Sequence, residues 1–413
     1  DELIRGLCPD GVEYKTLGEI AVDIYRGAGI TRDQVTAEGT PCVRYGEIYT
    51  TYGVWFDKCV SHTDESKLLS KKYFEHGDIL FAITGESVDD IAKCCVYIGH
   101  EKCLAGGDIV VLKHNQNPKY LSYALATTDA RQQKSKGKVK SKVVHSSVPA
   151  IREIKVPVPP IEVQCEIVRI LDNFTKLTAE LTAELTARKT QYTYYRDELL
   201  TNNYNSKIKR LEECCDSIAD GDHQAPPKAD SGIPFITISD IDERHEINFN
   251  VIKYVPNEYY NRLADKRRPQ KGDVLYTVVG SYGIPVYVKE NKKFVFQRHI
   301  AILRPNNAVL DSRYLYHAMN GTAFHRQADL AAKGAAQKTI GLASLAKMTV
   351  PVPPLDVQNR VVNVLDNFEK ICSDLNIGLP AEIEARQKQY EYYRDKLLTF
   401  AETGNTILSR AEH

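Results

Sequence analysis

The chain carries one pattern of motifs twice, and this repeat limits its possible folds more than any other feature. The motif VPVPP at residues 156–160 returns at residues 350–354, a shift of 194 positions. The motif LDNF at residues 171–174 returns at residues 365–368 with the same shift. The matched blocks have helical periodicity, and each follows a segment that matches its counterpart poorly. The pattern predicts one frame used twice with two different inserts, and therefore two separate specificities.

Both inserts have the pattern of small, irregular sheets. In the first, residues 78–83 and 108–112 are short, rich in β-branched side chains and bounded by glycines, which favours strands over helices. In the second, GDVL at residues 272–275 answers GDIL at residues 77–80. We therefore predict an α+β fold in which two similar mixed α/β domains are joined by two long helical arms. The predicted segments are a first lobe (residues 1–155), a central arm (156–204), a second lobe (205–350) and a C-terminal arm (351–413).

The arms have apolar residues every three or four positions, which is typical of a helix with one packed face. A straight helix over residues 161–200 would span ~60 Å at about 1.5 Å per residue, and a helix of that length needs a partner. Because the second copy has a matching stripe, we predict an antiparallel coiled coil within the chain and an internal pseudo-two-fold. The predicted seam and partner-contact residues are Leu171, Phe174, Leu181, Leu185, Tyr192, Tyr195, Leu365, Phe368, Leu375, Ile383, Tyr390 and Tyr393.

The two arms differ in the middle. The unit TAEL at residues 178–181 repeats at once at residues 182–185, which adds about one helical turn, or ~6 Å. The other arm has Gly378 followed by Leu379 and Pro380, and glycine followed closely by proline is expected to end one helix and start another. We therefore predict one helix in the central arm and two in the C-terminal arm.

Each arm ends in QY followed by YYRD, at residues 191–197 and 389–395. Tyrosine favours places that are apolar at one end and hydrogen-bonded at the other. We expect the three tyrosines of each motif, Tyr194 and Tyr392 included, to pack where the arm meets the opposite lobe, with their hydroxyls bonded.

Composition is typical of a globular protein. The 413 residues, 43% of them hydrophobic, suffice for two or three cores of ordinary size. No run approaches the ~18 apolar residues that a membrane span requires, and the first residues lack a basic and apolar leader, so we expect a cytoplasmic protein. The ten cysteines include Cys94 beside Cys95 and Cys214 beside Cys215, without CxxC spacing. We expect reduced thiols and no metal site.

Signatures of the common enzymes are absent from the sequence. At Gly137 and Lys138 a P-loop is excluded, because Val139 stands where Ser or Thr is required. Residues 279–283 resemble a nucleophile elbow but have Val279 in place of glycine, so a turn is the better interpretation. The Pro-Pro pairs lack the preceding Asp or Asn and the following aromatic residue of an amino-methyltransferase. We therefore predict no catalytic residues.

The charge of the chain is balanced overall but not locally. Lys plus Arg and Asp plus Glu both total 54, so the net charge gives no sign of a nucleic-acid partner. Basic residues are nevertheless concentrated at residues 131–142 of the first insert and 262–271 of the second. A charge run alone is as often a solvated face, but one in each insert favours a shared anionic partner.

The order of these features, doubled along nearly the whole chain, resembles the specificity subunit of Type I restriction-modification systems. The resemblance implies a non-catalytic, sequence-specific DNA-binding subunit in which each insert is a target recognition domain for one half of a bipartite site. The arms would set the distance between the halves. The resemblance also implies docking of two DNA adenine methyltransferase (modification) subunits, which use S-adenosylmethionine, and of restriction and translocase subunits, which use ATP and Mg. No cofactor is expected in this chain itself.

Candidate DNA contacts divide into phosphate anchors and base readers. Basic side chains suit phosphate, whereas Gln pairs with adenine and Arg with guanine in the major groove. In the first insert, the predicted anchors are Lys134, Lys136, Lys138, Lys140 and Lys142, and the predicted readers are Arg26, Arg32, Arg44, Tyr45, Thr50, Thr51 and Tyr52. In the second insert, the predicted anchors are Arg267, Arg268, Lys333 and Lys338, and the predicted readers are Asp222, His223, Gln224, Gln297, Arg298 and His299. Each of these side chains also fits a solvated surface, and His223 fits the cap of a turn.

Three other functions stay open at the level of sequence. The chain fits the recognition subunit of a related restriction enzyme whose partner fuses cleavage and methylation. A coiled-coil scaffold without DNA binding would leave the basic inserts unexplained. An enzyme acting on its own would have to use a site without a known signature.

Overall fold

The computed structural model describes residues 6–85, 90–135, 144–201, 206–221, 226–250, 253–335, 337–374 and 377–401. The chain forms two compact units. Unit 1 comprises Asp1–Glu180 with Glu384–His413, and unit 2 comprises Leu181–Ile383. Each unit therefore contains one lobe and a stretch of each arm. The four-segment division given above stays a prediction.

The first lobe contains two five-stranded sheets. Its strands are β1 (Tyr14–Thr16), β2 (Ala21–Arg26), β3 (Val35–Thr36), β4 (Thr40–Val43), β5 (Trp55–Phe56), β6 (Ser61–Thr63), β7 (Tyr73–Phe74), β8 (Ile79–Ala82), β9 (Thr84–Gly85), β10 (Cys94–Tyr97), β11 (Cys103–Ala105), β12 (Ile109–His114), β13 (Val144–His145) and β14 (Lys155–Pro157). The sheet orders are β2-β12-β8-β10-β5 and β3-β6-β4-β11-β7. Both sheets contribute to one core, in which Phe74, Leu80 and Tyr97 are buried.

Short helices cover this lobe. They are α1 (Leu17–Ile20), α2 (Tyr45–Thr50), α3 (Pro118–Leu125), α4 (Thr128–Lys134) and α5 (Val148–Arg152), with 3-10 turns at Arg32–Gln34 and Glu65–Lys67. A second core lies on the other side of the sheet β2-β12-β8-β10-β5, where Tyr120 and Leu121 of α3 pack with Phe81 of β8. Neighbouring residues of β10 reach different cores, Cys94 this one and Cys95 the core between the sheets. Adjacent strand residues point to opposite faces, so these two thiols do not converge on one metal site.

The second lobe repeats the arrangement. Its strands are β15 (Lys207–Arg210), β16 (Cys215–Asp220), β17 (Ile233–Ile236), β18 (Tyr254–Val255), β19 (Val274–Thr277), β20 (Pro285–Tyr287), β21 (Val295–Phe296), β22 (Ile300–Pro305) and β23 (Thr349–Val352). Its helices are α7 (Leu211–Cys214), α8 (Asn257–Arg262), α9 (Ser312–Asn320), α10 (Thr322–Ala331) and α11 (Leu342–Lys347), with 3-10 turns at Ile238–Asp240 and Asp265–Arg267. In the described part, the sheet orders are β16-β22-β19-β20 and β18-β17-β21. The predicted likeness of the two inserts is therefore confirmed.

The described residues of the arms form three helices. They are α6 (Ile161–Thr201), α12 (Leu355–Ser373) and α13 (Leu379–Leu397). The central arm is one helix of 41 residues. The C-terminal arm is broken before Leu379, with Pro380 as the second residue of α13, where its missing N–H is no loss. Both predictions for the arms are confirmed. None of the helices within the described ranges combines the length and the apolar character of a membrane span.

Within unit 2, the arm segments run antiparallel. Tyr195 of α6 stacks on Phe368 of α12 with ring centroids 5.8 Å apart. Lys189 lies earlier in α6, and Cys372 lies later in α12. Burial raises the pKa of the Cys372 thiol, and the charge of Lys189 is close enough to oppose this rise. Since an earlier residue of α6 faces a later residue of α12, the helices have opposite directions. In unit 1, Phe174 of α6 stacks on Tyr393 of α13 at 5.5 Å.

Each proline-rich strap is fixed by one buried glutamine. The Gln164 side chain accepts a hydrogen bond from the N–H of Asn117 and donates one to the Pro159 carbonyl, at 2.9 and 2.8 Å. Gln358 makes the same bonds with Asp311 and Pro353, at 2.7 and 2.8 Å. Both amides satisfy backbone groups that burial would otherwise leave unpaired. Each lobe is thereby bonded to the start of the arm that follows it.

Each lobe is also bonded to the end of the other arm. In unit 1, the Thr128 hydroxyl donates to the Asp395 carboxylate of the C-terminal arm at 2.5 Å. In unit 2, the N–H of Thr322 donates to Asp197 of the central arm at 3.1 Å, and the Thr322 hydroxyl donates to the same carboxylate. Both threonines lie at the start of a helix, where a carboxylate is favourable. The aspartate of each YYRD motif therefore fastens one lobe.

Candidate nucleic-acid interface

In the first lobe, the turn Gly106-Gly107-Asp108 joins β11 to β12 and brings both sheets together. The N–H of Gly106 donates to the carbonyl of Val43 at the end of β4, at 2.9 Å. Gly27, just after β2, lies so close that an added side-chain carbon would be 2.2 Å from the Gly106 carbonyl oxygen. Only glycine fits there. The ends of β2 and β4 therefore meet at one turn.

Two predicted readers lie at this turn. Arg26 donates from Nε to the Gly107 carbonyl at 2.5 Å and pairs with the Asp108 carboxylate at 2.7 Å. The Arg26 side chain keeps 60% exposure, so the pair is open to solvent and to ligand. Arg44 is half-buried and lies 3.5 Å from Glu47. The turn therefore presents two guanidinium groups that come from different sheets.

The second lobe has the same turn with other side chains. Gly221 follows β16, and an added carbon there would lie 2.6 Å from the carbonyl carbon of Gln297. Gln297, Arg298 and His299 form the turn between β21 and β22, and Arg298 is exposed. Asp220 stands in the place of Arg26 and lies 3.8 Å from Arg267. The two lobes thus present chemically different groups on one framework.

A loop further along each lobe borders the turn. In the second lobe, the N–H of Val278 donates to the His299 carbonyl at 2.8 Å, and the N–H of Gly280 donates to the Lys338 carbonyl at 2.9 Å. Lys338 and Lys333 are exposed, and Lys333 is bridged to Thr339. The structure therefore brings together five residues predicted from separate parts of the second insert, Gln297, Arg298, His299, Lys333 and Lys338.

The first lobe has the corresponding contacts. The N–H of Ile83 donates to the Asp108 carbonyl at 3.0 Å, and the N–H of Ser146 donates to the Ile83 carbonyl at 2.9 Å. Val144 of β13, two residues before Ser146, pairs with Gly85 of β9.

Some predicted residues lie outside the described residues. They are the anchors Lys136, Lys138, Lys140 and Lys142, the readers Asp222, His223 and Gln224, and the seam residue Leu375.

Comparisons with known proteins agree with this architecture. The family pattern described as Type I restriction modification DNA specificity domain matches twice, at residues 9–188 and 192–385. The chain belongs to this family of type I specificity proteins. A Haemophilus influenzae protein named as a type I restriction enzyme specificity subunit is 32% identical over 280 residues, which cover 64% of this chain and 68% of that protein.

A second relative is the specificity subunit of the Escherichia coli type I restriction enzyme EcoR124I/EcoR124II. It is 34% identical over 273 residues, covering 60% of this chain and 63% of that protein, which is less than two thirds of its length. Among solved structures, a chain from a study of type I restriction-modification assembly superposes with a TM-score of 0.65 at 17% identity, over 94% of this chain and 98% of that one. The S subunit from M. genitalium gives 0.51 at 13% identity, over 94% and 96%. These structures confirm the fold.

Two predicted contacts of this specificity protein are corrected. Lys134 is not a surface anchor: it is buried at the end of α4, where its ammonium donates to the Leu125 carbonyl at 2.7 Å. Tyr52 is not a reader: it is buried, stacks on Phe56 at 4.1 Å and accepts a hydrogen bond from the N–H of Val60 at 2.9 Å. Both polar groups are used inside the lobe.

The other predicted contacts are spread over the specificity lobes. In the first lobe, Arg32 is exposed on a 3-10 turn, Tyr45 and Thr50 are exposed on α2, and Thr51 is exposed directly after α2. In the second lobe, Arg268 is half-buried with its guanidinium 5.9 Å from the Tyr260 ring centroid. These positions leave the predicted roles of the five residues as predictions.

The predicted seam residues divide by burial. Leu171 and Leu365 are fully buried in the cores of units 1 and 2. Tyr192 contacts Phe368, and Tyr390 contacts Tyr123 of the first lobe, both at 6.4 Å. Leu181, Leu185 and Ile383 are half-buried.

Two of the arm tyrosines are placed differently from the expectation. Tyr194 and Tyr392 are 63% and 61% exposed, so they do not pack against a lobe. Each makes an edge contact with the next tyrosine, Tyr195 or Tyr393, at 5.4 and 5.3 Å. The reason is helical geometry: residues 192 and 194 are two positions apart, and residues at that spacing face different sides of a helix. Each arm therefore carries one exposed pair of adjacent tyrosines, Tyr194 with Tyr195 and Tyr392 with Tyr393.

The LDNF aspartates are a contact that the sequence reasoning missed. Asp172 bonds Lys119 and Tyr123 of the first lobe, both at 2.7 Å. Asp366 bonds Arg313 and His317 of the second lobe at 2.8 and 2.7 Å. The signal was the shared offset of 194, because Lys119 and Tyr123 precede Arg313 and His317 by that number.

His317, Asp366 and Glu369 are close enough together to hold a metal ion. The guanidinium of Arg313, however, bonds both carboxylates. Burial lowers the pKa of His317, so the ring is neutral. Burial would raise the pKa of Asp366, but the hydrogen bond from His317 and the charge of Arg313 outweigh it and lower that pKa. A metal would have to displace Arg313, so we assign the cluster to packing of the lobe on the arm.

Proposed function

We propose that this chain is the DNA-recognition subunit of a type I restriction-modification complex and that each lobe reads one half of a bipartite target. The observation that carries the proposal is the repeated turn, which is held by the same backbone contacts in both lobes but bears different side chains. A constant framework with variable contact groups is what two independent half-sites require. Side chains of the protein read the base edges, whereas contacts to the DNA backbone and its phosphates fix the register of the protein on the duplex.

The chemistry of the two turns differs in a way that suits different bases. The first presents Arg26 and Arg44, and arginine recognises guanine through two parallel hydrogen bonds. The second presents Gln297, Arg298 and His299, which add an amide group suited to adenine. We therefore expect the two half-sites to differ in sequence.

The arms are proposed to set the gap between the half-sites. The helix α6 runs without interruption from Ile161 to Thr201, and it carries residues of both units. The bonds of Gln164 and Asp197 fasten lobes near the two ends of this helix. Each residue added to or removed from an unbroken helix changes its length by about 1.5 Å, which suits a spacer.

The catalytic steps are proposed to belong to partner subunits. Two DNA adenine methyltransferase subunits would bring S-adenosylmethionine, and restriction and translocase subunits would bring ATP and Mg, whereas this chain would hold no cofactor and act without catalysis of its own. The paired tyrosines support two copies of one partner, because Tyr194 with Tyr195 and Tyr392 with Tyr393 form the same exposed pair on each arm. A cytoplasmic location goes with this proposal.

The experiment is methylome sequencing of a host that carries this chain with its methyltransferase. The expected result is one bipartite motif. Arg298→Gln should alter the half-site read by the second lobe and leave the other half unchanged, while Arg326→Gln, an exchange in α10 away from the turn, should leave the motif intact. A motif without a gap, or changes in both halves from Arg298→Gln, would contradict the proposal. Absence of any motif together with absence of DNA binding would favour the scaffold function.

A further inference from the structure

Lys72 lies beside the turn of the first lobe although it is distant in sequence. Its carbonyl oxygen accepts a hydrogen bond of 2.8 Å from the N–H of Ala105, the residue directly before the turn. Its side chain is exposed, and Nζ lies 5.6 Å from the centroid of the Tyr25 ring. Tyr25 is itself anchored by the bond from its hydroxyl to the Tyr73 carbonyl. The backbone of Lys72 is therefore held beside the residue that precedes the turn, and its ammonium lies over Tyr25 near the end of β2.

Lys72 differs from Arg26, Arg44 and Lys71 in having no carboxylate partner within the described ranges. Arg26 pairs with Asp108 at 2.7 Å, and Arg44 lies 3.5 Å from Glu47. Lys71, the next residue in the chain, pairs with Glu65 at 3.1 Å. A cation placed over an aromatic face gains a modest attraction and keeps its charge. Lys72 thus keeps that charge for an external anion.

The second lobe has a cation at the equivalent position. Lys72 precedes Asp78 by six residues, and Arg267 precedes Asp273 by six residues. The two aspartates have the same role, because Asp78 accepts from the N–H of Glu75 and Asp273 from the N–H of Gln270, at 2.9 and 2.8 Å. Arg267 in turn lies beside Asp220 at the end of β16. A positive side chain therefore flanks the turn in both lobes.

We propose that Lys72 contacts a DNA phosphate and positions the first lobe on its half-site without reading a base. The assignment rests on the proposed function, which supplies the DNA. Lysine is a compact point charge on a flexible stem, which suits a phosphate better than a base edge. Because the backbone of Lys72 is bonded to the residue before the turn, a phosphate contact by its side chain would fix the register of the readers that the turn carries.

The test compares Lys72→Gln with Lys71→Gln in the complex with the methyltransferase subunits. Binding is measured on a duplex that contains the motif identified by methylome sequencing and on a scrambled duplex of equal length. The salt concentration is varied from about 50 to 200 mM. Lys72→Gln should lower the slope of log K against log salt by about 0.9 on both duplexes. Lys71→Gln should keep the slope, because Glu65 already pairs that charge. Lys72→Arg should also keep it.

Three results would overturn the assignment. They are an unchanged slope in Lys72→Gln, an equal loss in Lys71→Gln, and a loss restricted to the motif duplex, which would make Lys72 a base reader. Thermal unfolding of Lys72→Gln should match that of the wild type, because the side chain is exposed. A wild-type complex that binds both duplexes equally would instead contradict the proposed function and leave the salt comparison of the two lysines as a separate result.

Discussion

At the scale of single residues, Gly27 shows how a small contact supports a recognition surface. The Gly106 carbonyl occupies the place where a side chain would begin, so the absence of a side chain lets β2 meet the turn that carries Asp108. Gly221 has the same role beside Phe296 and Gln297 in the second lobe. The geometry of each candidate interface therefore depends on a residue that has no side chain and whose N–H donates to the backbone, Gly27 to Ile109 and Gly221 to Ile300.

We expect Gly27→Ala to destabilise the first lobe by about 1–3 kcal/mol, because the added carbon forces backbone and turn apart as overpacking does. Gly29→Ala is the matched control, since nothing lies within 4 Å of a carbon added there. Chemical denaturation measures the stability, and methylome sequencing measures recognition. Gly27→Ala should weaken methylation at the half-site of the first lobe only. Equal stability of the two variants would refute the close-contact argument.

A run of basic residues does not show which of its side chains are buried, and this limited the prediction of single contact residues from sequence. Lys134 has the same sequence context as the lysines that follow it, but it ends α4 on the buried face of that helix. Lys72 was not singled out, because its neighbour Ala105 is 33 positions away in the sequence. The arginines at the turn were predicted from nearby glycines, which do mark a close approach of the backbone. Which distant segments meet was beyond local patterns.

At the scale of elements, the contacts between lobe and arm form a repeated set. Gln164 and Gln358 hold the straps, and Asp172 and Asp366 fasten the following helix to α3 and α9. The motifs VPVPP and LDNF were recognised from sequence as repeats, and the structure explains them as attachment points. Periodicity predicted the helices well because apolar spacing is a local property, whereas the attachment required knowing the partner.

Gln358→Leu should cost about 3 kcal/mol of stability, because the leucine leaves the N–H of Asp311 and the carbonyls of Pro353 and Val309 without their partner. The control is Asn359→Leu, at the exposed neighbouring position of α12. The midpoint of urea unfolding for unit 2 measures the effect. A shift of similar size in both variants would mean that the buried amide contributes nothing specific.

The lobe-arm contact of unit 2 should weaken in acid. Burial lowers the pKa of His317 below its ordinary value of 6.5, so the unfolded chain takes up a proton below about pH 6.5 while the folded unit does not. Stability therefore falls as the pH falls through that value, and the lowered pKa of Asp366 adds a loss in the same direction at still lower pH. The ring of His317 is surrounded by Arg313 of the lobe and by Glu369 and Tyr192 of the arms.

Among the described residues, the lobe-arm contact of unit 1 has no titrating ring of this kind. Burial of His114 in β12, which lowers its pKa to about 4, nevertheless gives that unit a loss of stability of its own in acid, outside this contact. Tyr123 stands in the place of His317, and burial raises the pKa of its hydroxyl, which therefore stays protonated. Hydrogen exchange at pH 7 and pH 5, followed by mass spectrometry, should show α9 losing protection more than α3. His317→Tyr should remove the difference between the two helices. Equal loss in α3 and α9 of the wild type would refute the assignment to His317.

At the scale of the whole molecule, the repeat predicted both the fold class and the family. Doubled motifs in fixed order are informative because each copy repeats the same contacts with a lobe. The positions of the readers were predicted only in part, since the five residues that converge in the second lobe come from two separate stretches of sequence. The inserts match each other poorly, so no internal comparison marked their equivalent turns in advance.

Deleting residues 182–185, one TAEL unit, should shorten the target gap. The loss of one helical turn removes ~6 Å, which corresponds to about two base pairs at about 3.4 Å each. Replacing the same four residues by alanines keeps the length and should keep the gap. Methylome sequencing of both strains reports the spacing directly. An unchanged gap after the deletion would count against the arms as the spacer.

The bond between Thr128 and Asp395 has a consequence for synthesis. The first lobe is completed by Leu398 and Phe400, which enter its core, and by the N–H of Val12, which donates to the Ala401 carbonyl. The ribosome must therefore reach residue 401 before the first lobe, which is made ahead of the second, acquires these neighbours. The second lobe, by contrast, is synthesised after Asp197, the arm residue to which its Thr322 is bonded. A premature stop codon after α12 would thus injure the first lobe, although that lobe is translated before the second.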